Sequence, residues 1–391
     1  MSSASSPKEL YQNVELRAIE VVRETYIQAA NIAKEDDAFT TKFNATLQAT
    51  TKLVEELNSR EKKMETSYKT HWHAEVLYTL SIAHVCCNQI IQLIGGPDSQ
   101  NLPEFSLQQL MSLLAWIEFF REIIEQKFPS IVAMDDTKKM HFDQRPDSDF
   151  FADTNSRSVV LVSMVVNNGT DIDVDIDIEV AMKNLAWENN MLWEVHRLAQ
   201  NEFLLQTRDQ ADRWIANVYD SNHQTSQTAE GQIVTSLCED IFSLAGIQVR
   251  IICEGLSKKL QSDTLVMAVC VILSRLRAHH LDARDKMLMD LETSCAAAND
   301  FQRMSDRTEA LVQAVIDQSE LPQNSIAILE ESCDMLISVY STDSVFAAQK
   351  SHEYIFQPIT EAISGILFEP HWEVELTHNE LAMILTRTLV S

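Results

Sequence analysis

Apolar residues recur at helical spacing along most of this chain. Leu107, Leu110, Leu114, Ile117, Ile124 and Phe128 follow one another in steps of three, four and seven, which places them on one face of a helix. Ser106 stands where an N-cap is wanted and Pro129 where that helix must stop. Residues 8–94 show helical patterning almost throughout, and Gly95-Gly96-Pro97 then reads as a helix stop. Helical patterning returns near Val180 and is expected to hold to the end. Ile233, Leu237, Ile241, Leu244, Gln248 and Ile251 form one stripe. Leu265, Val269, Ile272 and Leu276 form the next, continued by Ala283, Met287 and Leu291. Pro322, Pro358 and Pro370 punctuate the last third. No internal repeat of fixed short period is visible.

Between these regions the pattern changes. DDTKKMHFDQRPDSDFFADTNS is polar and acidic, with Pro146 as a breaker. SVVLVSMVVNNG has strand propensity, and TDIDVDIDIE alternates acid and aliphatic side chains, which suits a strand with one wet face. A strand needs a partner, and no second convincing strand run occurs. The expected organisation is a helical bundle over residues 1–134, an acidic, mobile connector over 135–179, and helical bundles over 180–391. The expected fold class is all-α, with antiparallel helices in consecutive bundles.

Composition agrees. Only 7 Gly and 8 Pro occur in 391 residues, while 45% are hydrophobic and 23% charged. So few turn residues favour long helices over folds rich in tight turns. The formal net charge of −27 repels phosphate backbones and so weighs against nucleic-acid binding. The seven cysteines sit mostly in apolar helical stretches without a CxxC pair, as expected of buried, reduced thiols. MSSASSPKEL lacks the basic-then-apolar pattern of a signal peptide, and the apolar runs Val159–Val166 and Val266–Leu273 are far shorter than a membrane helix. A cytoplasmic protein, neither secreted nor membrane-spanning, is the expectation.

The candidate chemistry mostly fails on spacing. A calcium loop requires Gly at its sixth position and Glu at its twelfth. Counting from Asp171 gives Ile176 and Met182, and from Asp173 gives Ile178 and Asn184. Asn299-Asp300 opens a run like the second magnesium motif of helical diphosphate enzymes, but Arg303 and Arg307 stand at its hydroxyl and Glu positions. Asp36-Asp37 and Asp135-Asp136 lack a third acid, because Thr40 and Lys139 occupy its place. His71 and His73 do not share a helix face, and neither they nor Glu75 form a metal motif. His279-His280 reads as part of a partly exposed helix face. No phosphate-cradling Gly loop and no nucleophile elbow appears. No catalytic, cofactor-binding or metal residues are therefore assigned, no cofactor is expected, and neither is a small-molecule substrate. An all-α magnesium-dependent enzyme acting on isoprenoid diphosphates remains a remote alternative.

Several stretches carry a resemblance. They are SLQQLMSLLAWIEFFREII (106–124), LLQTRDQADRWIANVYDSNH (204–223), EGQIVTSLCEDIFSLAGIQVRII (230–252) and CAAANDFQRMSDRTEALVQAVI (295–316), with a weaker fifth in the tail from Tyr354. In this order they resemble the carboxy-terminal portion of the Sec-six subunit family of the exocyst, a vesicle-tethering complex. Trp116 falls in a Leu-x-Trp helix, Trp214 and Asn217 in a Trp-x-x-Asn helix, and Asp240, Phe242 and Gln248 in a helix with a Phe and a Gln. Asn299 lies in a short Asn-containing stretch and Trp372 in a near-terminal helix. Each motif is a helical core pattern, and their order carries the likeness. It covers most of residues 100–391. Family members continue past the point matching Ser391, so a fragment, a shortened relative or a faulty gene model is expected.

The resemblance implies an elongated rod of stacked helical bundles. It implies a non-catalytic scaffold that tethers secretory vesicles to the plasma membrane before SNARE-mediated fusion. The implied partners are other exocyst subunits and SNARE proteins, with peripheral recruitment to the plasma membrane. The alternative is a Sec-six-like relative in membrane trafficking or remodelling outside the exocyst. A basic stripe would favour it, for which Lys258, Lys259, Arg275, Arg277 and Arg284 are the candidates. Trp187, Trp193, Trp214 and Trp372 are expected to be core anchors.

Overall fold

A computed structural model describes residues 39–64, 74–96, 100–127, 178–221, 223–256 and 262–367. Helix accounts for 87% of the described residues and strand for 2%, so the chain is all-α. Contacts divide it into two compact units, Met1–Phe203 and Leu204–Ser391.

In the first unit, α1 (Phe39–Met64) packs on α2 (Ala74–Leu93) and on α3 (Leu107–Lys127). Phe43 meets Phe105 edge to face, with ring centroids 5.3 Å apart, and Leu53, Ile82, Cys86, Ile90, Leu110, Leu114 and Ile117 fill the core. The helix stop after α2 is built from two glycines at φ +89° and +84°. A Cβ on Gly95 would lie 2.9 Å from Asn101, whose side-chain amide donates to the Leu93 carbonyl at 3.2 Å. Ser106 is the N-cap that its position predicts. Its Oγ accepts from the Gln109 amide at 3.3 Å, and Gln109 Oε1 accepts from the Ser106 amide at 2.8 Å, a reciprocal capping box. The unit also holds the first part of α4 (Ile178–Tyr219), inside which the boundary between the units falls. The alternating run around Asp171 lies outside the described residues, except that Ile178 and Glu179 open α4.

The second unit contains the end of α4, a hairpin of β1 (Ser226–Gln227) and β2 (Ile233–Val234), α5 (Leu237–Leu256), α6 (Ser262–Ala283), α7 (Leu291–Gln318) and α8 (Gln323–Leu367). Helices α7 and α8 form its most extensive pair, joined by a short link with Pro322 just before α8. Ser305 lies against Ser341, and Ser344 donates to the Ala298 carbonyl, so the two helices run antiparallel. Helix α5 packs on α7 and α6, and α6 also on α8.

Four expectations need correcting here. Helical pattern does not hold unbroken after Val180, because the hairpin intervenes. Its strands are two residues each, antiparallel, with Gly231 at φ +85° in the turn, too short to show a period-two signal. Ile233 therefore belongs to β2, and the buried face of α5 is Leu237, Ile241, Ala245, Val249, Ile252 and Leu256, while Leu244 and Ile251 are exposed. The stripe Leu265, Val269, Ile272 and Leu276 is buried throughout, but it does not continue. Helix α6 ends at Ala283, a 3-10 turn follows, and Leu291 is exposed. Pro358 does not end a helix, since α8 runs through it, at the loss of one backbone hydrogen bond.

Candidate functional site

A buried polar cluster in the second unit surrounds His280. This residue lies on the α6 face that carries Leu273 and Leu276, and no part of it is exposed. Its Nε2 is 3.0 Å from Asp343 Oδ2 on α8, and its Nδ1 is 3.3 Å from the Tyr219 hydroxyl at the end of α4. Arg284, just past α6, donates to Asp343 Oδ1 at 2.7 Å. Phe301 and Tyr340 meet the imidazole edge to face, with centroids 4.6 and 4.7 Å away. A carboxylate at Nε2 is satisfied when that nitrogen donates, which leaves Nδ1 to accept from the tyrosine. That is the neutral imidazole. Burial drives its pKa down from 6.5 to about 4, Asp343 opposes the fall, and the Arg284 charge adds to it.

The arrangement has the outline of an acid–histidine–hydroxyl relay, yet its setting serves another purpose. Burial raises the Tyr219 phenol well above its ordinary range, which makes it a poor nucleophile. Burial likewise raises the neighbouring Tyr340 phenol well above its ordinary range, and its hydroxyl makes no hydrogen bond of good geometry among the described residues. His280 is packed between the Phe301 and Tyr340 rings with no exposed surface, and Asp343 is buried beneath Arg284, so neither is presented to a substrate. What the cluster can do is tie α4, α6 and α8 together through paired, desolvated groups.

His279, next along the chain, is partly exposed and differs from His280 in role. Its Nε2 lies 2.9 Å from Asp212 Oδ1, which Arg275 also engages. The expectation of a partly exposed face thus fits His279 and fails for His280. Neighbours on a helix point about 100° apart, and the tertiary packing set which one entered the core.

Asn299 and Asp300 have a structural assignment. Asn299 Nδ2 donates to the Ile233 carbonyl at 2.8 Å. Asp300, fully buried, accepts from the Thr235 amide at 3.0 Å and the Thr235 hydroxyl at 2.6 Å. Together they clamp the hairpin to α7. Burial raises the Asp300 pKa, with the Thr235 bonds and then Arg303 opposing. Arg303 and Arg307, which spoil the magnesium motif, both reach Glu239 on α5. His223 adds a second link, with Nε2 2.6 Å from the Val218 carbonyl and Nδ1 3.0 Å from Ser236 Oγ.

The tryptophans divide. Trp116 is buried and stacks on Phe120 at 5.5 Å, and Trp214 is half-buried. Trp193 is 44% exposed, against the expectation of a core anchor. Its ring lies flat on His196 at 4.8 Å and takes the Arg121 guanidinium at 4.5 Å, so it lids a buried pair from outside. The side chain of Trp187, and all of Trp372, lie outside the described residues. Of the motif residues, Phe242 is buried, Gln248 half-buried, and Asn217 and Asp240 exposed. His71, His73, Asp36, Asp37, Asp135, Asp136, Lys258 and Lys259 lie outside the described residues, as does the side chain of Glu75. Arg275 and Arg284 are each held by an acid, Asp212 and Asp343, and so do not form a free basic stripe.

All seven cysteines are thiols, five buried and two half-buried. Burial raises Cys238 to about 12, with the nearby charges of Asp300 and Glu239 adding and those of Arg303 and Arg307 opposing. One segment, Ser262–Met287, is long and apolar enough to cross a membrane by length and composition, and half of it is buried against protein. Among the described residues, no group of three or more His, Cys, Asp or Glu side chains could hold a metal ion. No protein-family model, no curated protein and no solved structure matches this chain.

Proposed function

We propose that this chain is a non-catalytic helical scaffold that works by binding partner helices. The observation that carries this reading is the use of its polar clusters. The residues most like a reactive set, Tyr219, His280 and Asp343, are spent on joining helices, and those most like a magnesium motif clamp a hairpin. Long helices with exposed apolar positions such as Ile328, Met335, Val345 and Phe346 support it, because such faces suit docking of another helix.

The finer proposal is a tethering subunit of the exocyst, arranged as an elongated rod, cytoplasmic and recruited to the plasma membrane. There it would meet other exocyst subunits and SNARE proteins. That assignment rests on the order of the helical motifs containing Trp116, Trp214, Phe242 and Asn299. A tagged pull-down of the full chain from its source cells tests it. Recovery of the other exocyst subunits in comparable amounts is the expected result. A bait that returns other trafficking proteins without them assigns the chain to the relative outside the complex, and a bait that returns no partner overturns the scaffold reading.

A further inference from the structure

The outward face of α8 carries a groove of about 610 Å³ beside α6. Its walls are Glu330, Glu331 and Asp334, with Arg277 the one cation among the lining residues, and its apolar surface is Ala327, Met335 and Val339. Met335 is 47% exposed. None of the three acids, nor Arg277, is ion-paired with a described residue. Three carboxylates against one guanidinium leave the groove negative. The apolar character extends both ways along the face. Ile328 is 50% exposed, and Val345 and Phe346 are 59% and 39% exposed at the spacing that continues the row. Lys350, paired with Glu353, lies with its ammonium 5.7 Å from the centre of the Phe346 ring, within reach of a cation–π contact.

We propose that this groove on α8 is the docking site for a partner's basic amphipathic helix, its apolar side chains seated on Met335 and Val339 and its Lys or Arg side chains against Glu330, Glu331 and Asp334. The inference deepens the scaffold reading and rests on it. The groove is too small for a helix and large enough for a few inserted side chains, as expected of a helix laid across it. Charge decides among occupants. A second copy of this chain brings net −27 against an acidic face. The chain's own residues 368–391 carry Glu369, Glu373, Glu375 and Glu380 against one Arg387. A basic partner is attracted where both of these are repelled.

The test titrates the full chain into a labelled helical Leu/Lys peptide of about 18 residues and its Leu/Glu counterpart, read by fluorescence anisotropy at about 0.15 M salt. The Lys peptide is expected to bind and the Glu peptide not to. The E330Q/E331Q/D334N variant should weaken Lys-peptide binding about tenfold, from three charge pairs at a few tenths to one kcal/mol each. D209N/D220N/E230Q, which removes as many exposed acids away from the groove, should change it less than about threefold, because charges more than a Debye length from the bound peptide are screened at this salt. Met335→Ser should also weaken binding. Equal losses in the two triple variants would assign the binding to bulk charge and overturn the proposal. So would a Lys peptide that does not bind, a groove variant that binds like the parent, or sedimentation showing self-association lost in Met335→Ser. A failed peptide titration beside a pull-down that still recovers partners removes the groove and leaves the scaffold standing.

Discussion

Among the described residues, each unit buries one histidine against a carboxylate, and the two pairs are built differently. In the first unit His196 Nε2 lies 2.9 Å from Glu118. Its outer cover is Trp193, three residues earlier on the same helix, stacked within 6° of parallel. In the second unit His280 draws its surroundings from four places: Asp343 and Tyr340 on α8, Phe301 on α7, Tyr219 on α4 and Arg284 beyond α6. One pair has a local lid that faces solvent. The other is a junction whose every member lies in the core or at its edge. The same two residue types thus make a buried link between two helices, α3 and α4, in one place and a junction of several elements in another, and the difference lies in how many elements meet there.

Four measurements sharpen or break that contrast. The largest effect is expected from Asp343→Ala, which leaves Arg284 and His280 without their shared acceptor. Losing two hydrogen bonds to a buried carboxylate, one of them from a fully buried imidazole, costs about 3 kcal/mol, read by denaturant unfolding of the full chain. A loss below about 1 kcal/mol, the value of an exposed pair, would make the junction no different from a surface contact.

Next comes pH. The folded-state pKa of His280 is depressed from 6.5 to about 4, so the unfolded chain binds the extra proton in that window. The stability from keeping His280 neutral is fully present above pH 6.5 and is lost as pH falls towards 4, by on the order of 3 kcal/mol. Hydrogen exchange followed from pH 7 to 4.5 should show the core of the second unit losing protection. His280→Gln should flatten that slope, and an unchanged slope would show that another group carries it.

Asp300→Ala removes the acceptor of the Thr235 amide and hydroxyl from a buried position. A loss of about 2 kcal/mol is expected, with faster exchange of the Thr235 amide ahead of the rest of the unit. If the Thr235 amide exchanges at the parent rate, the clamp is not what holds the hairpin. The smallest effect belongs to Trp193→Ala in the first unit. The side chain is 44% exposed and its guanidinium contact is at the surface, so about 0.5–1 kcal/mol is expected. A loss equal to that of Asp343→Ala would erase the distinction between lid and junction.

Much of the helical content was legible because periodicity and caps are local. Ser106 and Gln109 share one turn, so their capping box follows from four residues of sequence. Leu265, Val269, Ile272 and Leu276 lie on one face by spacing, and that face is buried. The polar clusters were not legible in the same way. Asp343 is 63 residues from His280, and Thr235 is 65 from Asp300. No spacing rule links such positions, and His280 looks no more buried in sequence than His279. The hairpin escaped for the opposite reason, since its strands are shorter than the period that would reveal them.

By itself, then, the sequence determined that this chain is helical, where several of its helices start and stop, and that its surface is strongly acidic. Those properties depend on neighbours within a turn or on a sum over residues. Only the tertiary structure decided which histidine is buried, which acids are spent on internal partners, and which are left facing outward on α8. Those outcomes depend on helices far apart in sequence excluding water from the same place, and a buried polar group is stable only where another chain segment supplies its partner.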